Sequence, residues 1–133
     1  MADNISIAFR ALRKQGLLAR QRFMCCQGCA LNKLSQEFNA RDDDDKPAGY
    51  AFFHKQDAKM LDEHGRVYLA FGVFGRQRGR TAAEVGKLIV EACEAAGCPV
   101  DWSGDPATKI LVWRDENTRR AYAARRLGAT IPR

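Results

Sequence analysis

A chain of 133 residues, 46% hydrophobic and 29% charged, has the size of one globular domain and buries about 68% of its unfolded surface, so its core needs no metal or disulfide. The longest apolar run, VYLAFGVF at 67–74, is far short of the ~20 residues that cross a bilayer, and MADNISIAFRALRK lacks a secretory apolar stretch, which argues against the membrane and places the chain in the cytoplasm. The excess of 22 basic over 16 acidic residues, +6 at neutral pH, favours polyanionic partners.

The first element is a helix. Ile5, Ala8, Phe9 and Leu12 recur at helical spacing, with Asp3 or Asn4 placed to cap them and Gly16 to end them. LLARQRFM at 17–24 alternates partly between apolar and charged residues and predicts a strand with one wet face. It runs into Cys25, Cys26 and Cys29, and Leu31, Leu34 and Phe38 then return to helical spacing. NARDDDDKPAG at 39–49 joins self-repelling carboxylates to turn residues and predicts an exposed acidic loop; four consecutive aspartates lack the alternate spacing of a calcium loop.

YAFFH at 50–54 predicts a short strand, and a brief helix follows around Ala58 to Glu63, closed at Gly65. Residues 67–74 are apolar on both alternating faces, as in a central strand covered on both sides. Past the GRQRGR loop, Thr81 and Glu84 form a capping box, and Val85, Leu88, Ile89, Ala92, Cys93 and Ala96 form one stripe that Gly97 terminates. VDW at 100–102 and TKILVW at 108–113 flank turn residues and predict a hairpin, and a last helix runs from Asp115 to Leu127. The order predicts a single α+β domain over 1–133, with a mixed, mostly antiparallel sheet of about five strands and helices packed on it.

Five cysteines without an export signal argue against a disulfide framework. Cys93 reads as a small buried hydrophobe within its stripe. Three thiols in five residues exceed what packing demands, and they leave three readings open. Cys26 and Cys29 at a strand-to-helix junction match a thiol–disulfide motif, in which the helix terminus stabilises a thiolate. That reading further needs Pro99 to be cis and to face the cysteines. Thiolates at this spacing can also hold zinc, with Cys98, His54 or His64 as distant further ligands, although adjacent side chains on extended backbone point apart. Cys26 or Cys29 with His54 and Asp57 has the residue types of a nucleophile, base and orienter. The plain alternatives are core packing for His54 and solvent exposure for His64.

Arg76, Arg78 and Arg80 crowd one loop, and six arginines lie between 114 and 133. On the last helix, steps of about 100° place Arg119, Tyr122, Arg125 and Arg126 in one arc and turn Ala123, Ala124 and Leu127 towards the core. Three guanidiniums around one ring suit phosphates and a stacked base.

FMCCQGC (23–29), GYAFFHKQD (49–57), VYLAFG (67–72) and DWSGDP (101–106), spread over about two-thirds of the chain, resemble a family of small bacterial proteins known as a domain of unknown function. The resemblance implies a bacterial or phage source, a compact α+β domain, and proximity of the cysteines to the segment His54 to Asp57. It implies no activity, and the acidic loop and the arginine-rich tail depart from it. The sequence therefore reads first as a non-enzymatic binding or regulatory protein, without a cofactor, whose basic surface engages an acidic protein or nucleic acid. The alternative is a zinc or redox site at Cys25, Cys26 and Cys29.

Overall fold

The computed structural model describes residues 3–42, 46–74 and 81–126, with side chains as far as 124. The ten elements follow the expected order: α1 (Asn4–Lys14), β1 (Leu18–Arg20), α2 (Gln27–Asn39), β2 (Tyr50–Phe52), α3 (Lys55–His64), β3 (Arg66–Gly72), α4 (Ala82–Ala95), β4 (Val100–Asp101), β5 (Ile110–Trp113) and α5 (Glu116–Arg126). Asp3 caps α1 by accepting from the Ser6 N–H at 2.7 Å. Thr81 and Glu84 close the capping box of α4 in both directions. Each such cap contributes about 1 kcal/mol by satisfying backbone donors that the first turn leaves unpaired.

The five strands form one mixed sheet in the order β1-β2-β3-β5-β4. β1 runs parallel to β2, and every other pair is antiparallel. A parallel pair needs a crossover, and α2 supplies it. The architecture is α+β, as the element order predicts.

Strand alternation divides the core in two. Ala19, Ala51, Phe53, Val67, Leu69, Ile110 and Val112 face α1, α3 and α4, whose Phe9, Leu12, Leu61, Val85 and Ile89 complete the larger cluster. Phe9 meets Phe53 edge-on, with ring centres 5.7 Å apart, a geometry worth about 1 kcal/mol beyond the area it buries. Leu18, Phe52 and Ala70 point the other way and bury Ala30 and Leu34 of α2.

β3 takes the sheet centre, as expected, but it is not fully covered on both sides. On the second face α2 reaches Ala70 and Tyr122 of α5 stacks over Arg66. Tyr68 between them stays 41% exposed. β1 also stops earlier than the alternating pattern suggests, because Arg22 and Met24 take φ of +50° and +62°, which no strand accommodates.

Candidate metal centre

The early end of β1 builds the cysteine corner. Left-handed backbone at a residue other than glycine costs on the order of 1–3 kcal/mol and persists only where its surroundings enforce it. Here they do. The Phe23 N–H donates to the Phe53 carbonyl at 2.9 Å, and the Lys55 N–H donates to the Met24 carbonyl at 3.0 Å, so the bend is fastened to the strand β2 and the start of α3. The Phe23 ring rests on Phe52. The Arg22 guanidinium grips both carboxylate oxygens of Asp62, at 2.7 and 3.0 Å. This pairing raises the pKa of Arg22 and holds the Asp62 carboxyl below its usual range.

From that bend the chain enters α2 through Cys26, which occupies the N-cap with extended backbone. Cys29 lies in the first turn. The sulfurs of Cys25, Cys26 and Cys29 all lie within 4.8 Å of one another, and Cys25 Sγ is 3.7 Å from Cys29 Sγ. The expectation that the adjacent cysteines diverge therefore fails: the left-handed Met24 re-aims the chain just before Cys25, and the three thiols share one point. Cys25 and Cys29 are exposed and Cys26 is half-buried.

The helix terminus polarises this group. No side-chain hydrogen bond closes the cap at Cys26, yet the Cys29 N–H lies close enough to lower the Cys26 pKa, with help from the Cys29 and Cys25 thiols and the Gly28 N–H. The Cys29 thiol is pushed up to about 11 by its hydrogen bonds with the Cys26 and Cys25 sulfurs and by their charge. One thiolate is thus favoured at the N-terminal end of α2, where backbone N–H groups converge.

The other candidate ligands lie elsewhere. Among the described residues, the cysteine group contains no histidine or carboxylate. His54 is buried, as the packing reading holds. Its Nδ1 accepts from the Asp57 N–H at 3.2 Å and caps α3, while Nε2 lies 3.3 Å from the Asp57 carboxylate. The backbone of this segment does lie beside the cysteine bend, through the Lys55 and Met24 contact, but its imidazole is committed to Asp57. His64 is exposed. Cys98 is buried with Cys93 in the larger core, and burial pushes its thiol up to about 12, with the charges of Asp3 and Asp115 adding to the shift. Pro99 precedes β4, at the opposite edge of the sheet from β1, and the described peptide bonds are all trans. The part that the thiol–disulfide reading gives Pro99 is therefore excluded by topology.

The arginine surface is described only in part. Arg76, Arg78 and Arg80 lie outside the described residues, as do the side chains of Arg125 and Arg126. Arg119 is held by Glu116 at 2.7 Å, and Arg120 bonds the same carboxylate at 3.3 Å. Tyr122 does not share an outer arc with them. Its ring packs 6.0 Å from Trp113 and lies over the Arg66 guanidinium at 3.9 Å, while Ala123 is exposed. Of the residues expected to face the core, Ala123 is exposed, Ala124 is half-buried and Leu127 lies outside the described residues; Tyr122 instead packs inward, because its ring buries far more apolar area against Trp113 than a methyl group does.

A family model for a domain of unknown function, DUF6891, matches residues 1–121. The chain belongs to this family. No curated protein and no solved structure matches it. Membership agrees with the expected resemblance to a domain of unknown function, and it assigns no activity. No helix among the described residues is long and apolar enough to cross a membrane.

Proposed function

We propose that this chain is a thiolate metal-binding protein in which Cys25, Cys26 and Cys29 hold one thiophilic ion, zinc foremost, and leave its fourth position to an exogenous ligand. The observation that carries the reading is the convergence of three surface sulfurs. Zinc–sulfur bonds of about 2.3 Å in a tetrahedron place neighbouring sulfurs about 3.8 Å apart, and Cys25 and Cys29 already stand at 3.7 Å. The Cys26 sulfur lies within 4.8 Å of both. Soft thiolates select zinc and monovalent copper over magnesium and calcium.

Two features favour an exchangeable site over a structural one. Structural zinc sites are closed by four protein ligands, whereas sites that act on a ligand keep one position open. The fold also has its own apolar core on both faces of the sheet, so loading and unloading an ion need not unfold it.

Metal analysis of protein purified without chelator, with cobalt as a spectroscopic substitute for zinc, tests the reading. The expected result is one ion per chain, intense sulfur-to-cobalt absorption, and loss of both in Cys26→Ser and Cys29→Ser. A metal-free protein that instead forms a reversible Cys26–Cys29 disulfide supports thiol–disulfide chemistry, which the position of Cys26 at a helix terminus favours as the second reading.

A further inference from the structure

β1 and β4 are the outer strands of the sheet. The Ala19 carbonyl of β1 is occupied by two arginines, whereas β4 stays open. The Trp113 N–H donates to the Pro99 carbonyl at 2.9 Å, and Val100 stands opposite Val112. Residues of an antiparallel pair alternate between bonded and unbonded positions, so Val100 directs its N–H and C=O away from β5 and off the sheet. Among the described residues no group of the chain bonds either one. An edge in this state accepts one more strand.

A groove runs alongside the same residue. Val100 and Trp102, two positions apart on the chain, pack on the face that carries α4, and with Val90 of that helix they line a cleft of about 380 Å³. All three are half-buried, so apolar surface remains within reach of a partner. The Trp102 ring is fixed: its indole N–H donates to the Asp105 and Thr108 carbonyls at 3.1 and 3.2 Å, and its edge meets Phe71.

The rim is acidic. Glu91 and Glu94 of α4 stand beside the apolar lining, and Asp101 is exposed on β4 itself. Among the described residues none of these three carboxylates has an ion-pair partner, and Lys87 is the one cation that lines the cleft. An adjoining hollow shares Glu94 and Val100 and adds Glu116 and Arg119, but those two bind each other at 2.7 Å. In a chain that carries +6 overall, this edge has the opposite sign. A second copy of the chain would bring the same carboxylates to the junction, and like charges oppose that pairing.

We propose that β4 takes up an extended basic segment of a partner protein as an added strand, with an apolar side chain seated against Val90, Val100 and Trp102 and lysine or arginine side chains meeting Glu91, Glu94 and Asp101. Successive side chains of a strand point to opposite faces. A segment that alternates apolar and basic residues therefore fills the groove on one face and answers Asp101 on the other, while bonding to Val100 supplies the main-chain contacts. The site shares no residue with the cysteine corner.

Fluorescence anisotropy with a labelled, end-blocked peptide that alternates lysine and valine, and with its glutamate and valine counterpart, tests the proposal. The expected result is saturable binding of the lysine peptide alone. Its affinity is expected to fall with salt, and to fall about tenfold or more in Glu91→Lys combined with Glu94→Lys and in Val100→Pro, which removes the outward N–H. The two glutamates are exposed and unpaired, so their replacement keeps the fold, and matching melting temperatures verify this for each variant. Cys26→Ser is expected to bind as the parent does, which keeps the result separable from failure of the metal site. Three outcomes overturn the proposal: no saturable binding at millimolar peptide, equal affinity for the glutamate peptide, or affinity indifferent to the glutamate pair or to a folded Val100→Pro. Sedimentation velocity adds a fourth, a dimer that Val100→Pro dissolves, which would assign the edge to a second copy instead.

Discussion

The five cysteines fall into two groups that share a chemistry and nothing else. Cys93 and Cys98 are 1% exposed within the larger core, and burial drives both thiols far above their ordinary value. Cys25, Cys26 and Cys29 stand at the surface with their sulfurs gathered, and a helix terminus pulls one of them down. Side-chain identity is constant across the comparison, so the backbone decides the role. A regular helix with an apolar stripe makes a thiol into a small hydrophobe. A strained bend before a helix gathers the same thiol with two others at the surface.

The comparison can be broken most forcefully from beneath the corner. Phe52 is fully buried and supports Phe23, so Phe52→Ala is expected to cost about 3–5 kcal/mol in urea unfolding and to weaken metal binding as the bend loosens. Retention of full metal affinity in a destabilised Phe52→Ala protein would show that the bend does not hold the sulfurs together. Next in size is Cys93→Ser, which buries a hydroxyl where a thiol packed and is expected to cost about 1–3 kcal/mol. Cys25→Ser, at the surface, is expected to leave the urea midpoint in place while reducing the affinity for zinc.

Alkaline pH separates the groups by linkage. In the unfolded chain Cys98 titrates near 9.0, whereas in the folded protein it holds its proton to about 12. Between those values the unfolded state binds fewer protons, so stability falls as pH rises. Urea midpoints at about pH 8 and about pH 10 are expected to show a steeper fall for the parent than for Cys98→Ala. The smallest effect is kinetic: a disulfide reagent is expected to react quickly with three thiols in the metal-free native protein and to reach all five only after unfolding. Fast reaction of a fourth thiol in the native protein would contradict the burial of Cys93 and Cys98.

Much of this molecule was legible beforehand because its local signals agree with its packing. Thr81 and Glu84 announced α4, the stripe from Val85 to Cys93 gave its buried face, and all ten elements follow in the expected order. The cysteine motif and its place at a helix start were readable too. Its convergence was not, since it depends on left-handed Arg22 and Met24, and neither residue type advertises that backbone as glycine or asparagine would. The inward packing of Tyr122 was not legible either, because counting alanines ignores what Trp113 offers as a partner.

Arg13 and Arg20 both donate to the Ala19 carbonyl of β1, at 3.2 Å each. β1 is an outermost strand, and an uncovered strand of that kind templates pairing with a neighbouring molecule. Two guanidiniums seated on its free acceptor obstruct that pairing by bulk and by repulsion between identical copies. Removing both charges together should therefore leave the chain folded yet inclined to self-associate as its concentration rises.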